Sequence, residues 1–117
     1  MKKGTVVFLL LALFVVFCAV KVASQEEELT SITIKSHAAN KQMVILDVVL
    51  GAKVLEFTCN VGFPNCNDLE PGKYKMVELP KNHGMYECRN VEVYPDAIEE
   101  RNHEKLLGAY CLVSEKA

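Results

Sequence analysis

Three histidines and fifteen carboxylates are the side chains of this chain that can transfer protons or bind metal ions near neutral pH. His37, His83 and His103 stand far apart, and no pair has the His-x-His or His-x3-His spacing that places two imidazoles on one metal ion. Glu99 and Glu100 are adjacent, so on a helix their carboxylates would point in different directions. There is also no Gly-x-Ser-x-Gly nucleophile motif and no glycine-rich phosphate loop. The pattern predicts no catalytic residue, no metal site and no cofactor.

Cysteine is the other reactive residue type, and four of the five cysteines follow residue 24: Cys59, Cys66, Cys88 and Cys111. An even number in an exported domain indicates two disulfides, and four cysteines allow three connectivities. The pairing Cys59–Cys66 with Cys88–Cys111 is favoured, because the six residues inside the first pair include the turn formers glycine, proline and asparagine. Crossed pairings stay open. A zinc site would need closer cysteine pairs, and a thioredoxin-like redox site would need Cys-x-x-Cys.

Phe63 and Pro64 lie inside the loop that the Cys59–Cys66 disulfide would close. A disulfide can hold an aromatic side chain rigid, and a rigid aromatic side chain loses little entropy when it docks. The two residues are therefore candidates for a binding site. The competing interpretation is that Phe63 folds back and covers the end of a sheet, as aromatic residues in the loops of small domains do.

The N-terminal 24 residues have the layout of a secretory signal peptide. Two lysines precede an apolar run over residues 6–20, and Val22-Ala23-Ser24 supplies the modest side chains of a cleavage site. We expect cleavage after Ser24, and export to a secreted or periplasmic location. Such compartments are oxidising, which supports the disulfide interpretation of the cysteines.

Two other roles for this leader compete with cleavage. An uncleaved membrane anchor is disfavoured because the run from Thr5 to Val20 is shorter than the roughly 20 residues that a spanning helix needs. A lipoprotein anchored through Cys18 is disfavoured by Phe17, since small residues precede the cysteine at such sites.

The rest of the chain has the composition of one small acidic domain. After residue 24 there are ten basic and fifteen acidic residues, a net charge of −5, and no basic run. This charge argues against nucleic acid as a partner, and no membrane contact is expected once the leader is removed. Residues 25–30 are predicted to be a flexible acidic N-terminus, and residues 31–117 a single β domain.

Alternation of polar and apolar residues and runs of β-branched residues predict six strands, over 31–35, 43–49, 54–59, 74–79, 85–94 and 106–113. Residues 50–53 join the second and third strands as a hairpin. A bulge near Arg89-Asn90 would reconcile the alternation within the fifth strand. Asp96 can cap one short helix reaching about Lys105. The expected fold is all-β: a small antiparallel sandwich or barrel with one short connecting helix, held by disulfides.

These features favour a non-enzymatic exported domain with a binding or structural role, whose partner is a protein or a cell surface. Two alternatives follow from the same residues. One is a small hydrolase whose site combines His83 or His103 with nearby acids. The other is an inhibitor that presents the 59–66 loop to a protease.

Overall fold

The computed structural model describes residues 28–81 and 83–116, which form a closed barrel of six antiparallel strands. The strands are β1 (Thr30–Ala39), β2 (Met43–Leu50), β3 (Lys53–Asn60), β4 (Gly72–Glu78), β5 (Arg89–Pro95) and β6 (Gly108–Lys116). Their order around the barrel is β1-β2-β3-β6-β5-β4, and the pairing of β4 with β1 closes it. The prediction of an all-β antiparallel fold of six strands is confirmed, and the architecture is the barrel.

The barrel is filled by side chains that alternate along the strands. In β3, Leu55, Phe57 and Cys59 are buried in the core, whereas Glu56 and Thr58 lie on the outer face. Among the six described strands, closure leaves none at an edge of the sheet, and edge strands are the usual route of sheet-to-sheet aggregation. The other core residues are Ile32, Ile34, Val44, Leu46, Val48, Met76, Val91, Val93, Tyr110 and Leu112.

The β2–β3 hairpin forms where the sequence predicts it. Val49 pairs with Val54, and Leu50 with Lys53, around a two-residue turn of Gly51 and Ala52. Gly51 has a φ of 59°, a conformation that glycine adopts without steric cost. β2 and β3, which contain many β-branched residues, then pair over eight residue positions.

The predicted bulge at Arg89-Asn90 is wrong. β5 pairs without interruption with both of its neighbours, and the bulges lie at Lys35 in β1 and Val113 in β6. The predicted strand also starts too early, because residues 85–88 have no strand structure. Tyr86 and Cys88 therefore need not follow the alternation of Val91 and Val93, and no bulge is required.

The predicted helix from Asp96 to about Lys105 is also wrong. Within this stretch the helical structure is a single 3-10 turn, His103–Lys105, and its cap is Asn102, whose side chain accepts a hydrogen bond from the Glu104 amide at 3.0 Å. Asp96 instead pairs with Lys75 at 3.3 Å. The segment lacks the apolar stripe that would hold a longer helix against the barrel.

The predictions for residues 1–24, for Cys18 and for most of the acidic 25–30 segment fall outside the described residues. Within 28–81 and 83–116, no helix is long and apolar enough to cross a membrane.

Candidate functional site

Each of the two disulfides holds one segment that lies outside the sheet. Cys59 pairs with Cys66 and Cys88 with Cys111, with Cα–Cα distances of 5.4 Å and 5.8 Å. The favoured connectivity is therefore confirmed. The first disulfide closes residues 60–65 at the end of β3. The second attaches the 79–88 segment, which connects β4 to β5, to β6 in the barrel wall.

The 61–65 loop is a series of turns fixed by backbone hydrogen bonds. The Val61 amide donates to the Gln42 carbonyl at 3.0 Å, and the Phe63 amide donates to the Asn60 carbonyl at 2.9 Å. Asn65 has a φ of 62°, a left-handed conformation that asparagine tolerates better than most residues. The disulfide at the base of the loop and these two hydrogen bonds, one of them to Gln42 outside the loop, restrain its backbone.

Phe63 packs against Tyr86 and is also partly exposed to solvent. Its ring centroid lies 5.3 Å from that of Tyr86, yet 42% of the residue remains exposed. The Tyr86 hydroxyl accepts a hydrogen bond from the Asn60 amide at 3.2 Å, so Tyr86 joins the base of the same loop. The structure thus combines features of both sequence interpretations, since Phe63 packs on a neighbour and still faces solvent. Pro64 beside it is exposed.

The 79–88 segment is positioned by the buried side chain of Asn90. The Asn90 amide group donates to the carbonyls of Tyr86 and Cys88 at 2.8 Å and 2.9 Å, and its oxygen accepts from the Tyr86 amide at 3.0 Å. Gly84 lies so close to Asn90 that a Cβ atom at this position would overlap it. The hydrogen bonds of Asn90 and the packing of Tyr86 against Phe63 could not be predicted from the sequence. The sequence feature that could have indicated the role of Asn90 is its position directly before the apolar run of β5.

The described residues include five large apolar side chains that are 42–50% exposed: Val54, Val61, Phe63, Met85 and Val113. We call these five residues the apolar face. Val54 lies on β3, Val113 on the adjacent β6, and Val61 and Phe63 in the loop that follows β3. Met85 belongs to the 79–88 segment, which the Cys88–Cys111 disulfide attaches to β6. Val54 and Val61 thus lie towards opposite ends of β3, and Glu56 and Thr58 occupy outer positions of the strand between them.

His83 and His103 line the same cavity, whereas His37 lies apart from them. His37 Nδ1 lies 2.8 Å from Asp68 Oδ1, and both side chains are partly exposed. His83 and His103 come from different connecting segments and line one cavity of about 130 Å³, bordered also by Glu92. Among the described residues, the carboxylate within hydrogen-bond distance of a histidine is thus Asp68, and no pattern in the sequence indicates this pairing.

Glu92 is committed to a buried network with Tyr94 and Arg101. Its Oε1 atom accepts hydrogen bonds from the Tyr94 hydroxyl at 2.6 Å and from Arg101 Nε at 2.9 Å, and lies 2.8 Å from Arg101 Nη2. Burial, followed by the hydrogen bond to Glu92, raises the pKa of Tyr94 to about 12. Because an arginine and a tyrosine already satisfy this oxygen, Glu92 is poorly suited to act as a general base. Within the described ranges, no cluster of three or more His, Cys, Asp or Glu side chains could hold a metal ion.

Comparison with known proteins does not assign a function to these features: no family model, curated protein or solved structure matches the chain.

Proposed function

We propose that this chain is an exported, non-enzymatic binding domain that contacts a protein partner through side chains of the apolar face, with Phe63 as the main contact residue. The observation that carries the proposal is the state of Phe63, which is half exposed while its loop is fixed by a disulfide and its ring by Tyr86. A side chain that is already ordered loses little entropy on binding, and such aromatic residues dominate the energy of many interfaces.

The conformation of the 61–65 loop favours this role over protease inhibition. Its backbone consists of turns, and the Phe63 amide is already hydrogen-bonded to Asn60. An extended segment with free backbone groups would be needed to add a strand to a partner's cleft. We therefore propose contact through side chains, not through the main chain.

Export is part of the same proposal. Two disulfides fit an oxidising compartment, and the leader at residues 1–24 would deliver the domain there. We expect the secreted protein to begin at Gln25. N-terminal peptide mapping of secreted material checks this, and recovery of the intact leader would contradict it.

The binding proposal can be tested by photo-crosslinking from the apolar face. A photoreactive amino acid at Val61 should give a discrete crosslinked product in the extracellular fluid of the producing cells. Excess wild-type protein should abolish the product, whereas excess Phe63→Ala protein should compete poorly. Thr33, which is exposed on β1 outside the apolar face, is the matched control position. Equal products from both positions, or equal competition by the two proteins, would rule out the proposed surface.

One observation favours an enzyme as the second candidate. The His37–Asp68 pair leaves the imidazole Nε2 without a partner in the described part of the chain, which is how a carboxylate orients a histidine that acts as a base. Its nearest serine in sequence, Ser36, donates its hydroxyl hydrogen bond to Asp47 at 2.7 Å. A hydrolase activity that disappears in His37→Ala but persists in His83→Ala would support this candidate.

A further inference from the structure

We propose that the Cys88–Cys111 disulfide is a reducible switch, through which a dithiol controls how Phe63 is held for binding. This inference rests on the proposed binding role and adds a means of regulating it. It follows from the position of this disulfide on the barrel, from the cavity beside Cys88, and from the contacts of the segment that the disulfide holds.

The two disulfides lie in different surroundings. Cys59 belongs to the buried core of the barrel and is 1% exposed, and Cys66 packs against that core. Cys111 lies between two core residues of β6, so its side chain is on the outer side of the strand. Because thiol–disulfide exchange requires a thiolate to reach a sulfur atom, we expect a reductant to open the outer disulfide first.

A cavity of about 410 Å³ gives a reductant access to Cys88. Residues from both ends of the 79–88 segment line this cavity, among them Leu79, Pro80 and Glu87. Cys88 forms part of the same wall and is only partly buried, whereas Cys111 is buried. The expected point of attack is therefore Cys88.

The exchange proceeds in two steps. One thiolate of the dithiol attacks the sulfur of Cys88, so that a mixed disulfide forms and Cys111 leaves as a thiolate. The second thiolate of the dithiol then attacks the sulfur that came from the same dithiol, and Cys88 leaves. The protein disulfide gains two electrons, the dithiol is oxidised to a disulfide, and the two cysteine thiolates take up the two protons that the dithiol lost.

Reduction would remove the covalent attachment of the 79–88 segment to β6. The hydrogen bonds from Asn90 to the carbonyls of Tyr86 and Cys88 would then hold the segment, and bonds of this kind open locally in exchange with water. The ring of Tyr86, in the same segment, packs on Phe63 with centroids 5.3 Å apart. Release of the segment would withdraw this support, and Phe63 would gain conformational freedom that binding must remove.

Stepwise reduction of the folded domain with dithiothreitol, followed by alkylation of free thiols and peptide mapping, tests which disulfide opens first. Cys88 and Cys111 should be alkylated at least about tenfold faster than Cys59 and Cys66, which are the internal control. When only the first pair is open, hydrogen exchange should accelerate at residues 83–88 while the amides of β2 and β3 stay protected. Equal rates for the two disulfides, earlier opening of Cys59–Cys66, or loss of protection across the whole barrel would overturn the switch.

The double variant Cys88→Ser/Cys111→Ser represents the reduced state without an alkyl group. In this variant the ring resonances of Phe63 should shift, whereas those of Phe57, which lies in the core, should not. In the Val61 crosslinking experiment, the double variant should compete about as poorly as Phe63→Ala. Unchanged Phe63 resonances, or full competition by the double variant, would overturn the switch.

The two proposals fail separately. Competition that Phe63→Ala weakens but the double variant does not would retain the binding surface and reject the switch. Selective reduction that frees the segment and shifts the Phe63 resonances, with equal competition by wild type and Phe63→Ala, would retain the switch and reject the binding surface.

Discussion

Among single residues, Asn90 and Gly84 have the greatest influence on the candidate site, because their close contact sets the path of the 79–88 segment. An alanine Cβ at position 84 would overlap the Asn90 side chain and disturb its three hydrogen bonds. We expect Gly84→Ala to lower the free energy of unfolding by about 1–3 kcal/mol. Gly62→Ala is the control: its Cβ meets nothing within 4 Å, so the effect should stay within about 0.5 kcal/mol. Equal denaturant midpoints for the two variants would contradict this close contact.

Tyr94 gives a second prediction for a single residue, in alkaline solution. Its pKa is raised from 10 to about 12, so the unfolded chain loses this proton at a lower pH than the folded one. The stabilisation is complete below about pH 10 and is lost as the pH rises towards 12. The free energy of unfolding should therefore fall more steeply between about pH 10 and 12 in the wild type than in Tyr94→Phe. Parallel curves from urea denaturation at each pH would show that the hydroxyl is not perturbed.

Among the connecting elements, the 79–88 segment depends on its disulfide. Replacing Cys88 and Cys111 by alanine should lower the free energy of unfolding by about 2–4 kcal/mol, because the unfolded chain loses a cross-link. Hydrogen exchange should accelerate at residues 83–88 while the amides of β2 and β3 stay protected. Unchanged exchange at 83–88 would mean that Asn90 alone is sufficient to hold the segment.

The strand ends near Arg89 are joined by an ionic network. Arg89 hydrogen-bonds Glu78 on β4 at 2.7 Å and Glu115 on β6 at 3.1 Å, and Lys53 of β3 lies 3.2 Å from Glu115. The hydrogen bond from Arg89, and then that from Lys53, lowers the pKa of Glu115 below its usual value of 4.5.

This lowered pKa predicts how acid affects the network. The contribution of Glu115 to stability is present above about pH 4.5 and is lost as the pH falls through the lowered pKa. The difference in unfolding free energy between wild type and Glu115→Gln should therefore be constant near neutral pH and shrink in acid. The control is Glu100→Gln, since Glu100 is exposed and forms no ion pair with the described residues. A Glu115→Gln difference that stays constant down to about pH 2 would contradict the prediction.

The elements that were predictable from sequence are those specified by neighbouring residues. The alternation in 43–59 and the two-residue turn at Gly51 are local, so the β2–β3 hairpin was predictable. The sequence predicts a strand over residues 85–88 because nothing nearby in sequence shows that Asn90 binds the carbonyls of Tyr86 and Cys88. The contact between Phe63 and Tyr86 could not be predicted from neighbouring residues either. It depends on the pairing of β3 with β6, which lie far apart in the sequence.

For the whole molecule, barrel closure explains why the proposed binding surface combines distant parts of the sequence. The pairing of β3 with β6 brings the loop after β3 towards the segment that is disulfide-bonded to β6. Each disulfide anchors one of these two pieces, and the Tyr86 ring joins them.

The most direct test of the binding surface is hydroxyl-radical footprinting of the folded domain, in buffer and in the extracellular fluid of the producing cells. Phe63 and Met85 are reactive, exposed side chains of the apolar face, and His37 is an exposed control on β1. We predict that oxidation of Phe63 and Met85 falls in the fluid while oxidation of His37 does not change. Equal oxidation of Phe63 and Met85 in both media, or protection centred on His37, would contradict a partner bound at this surface.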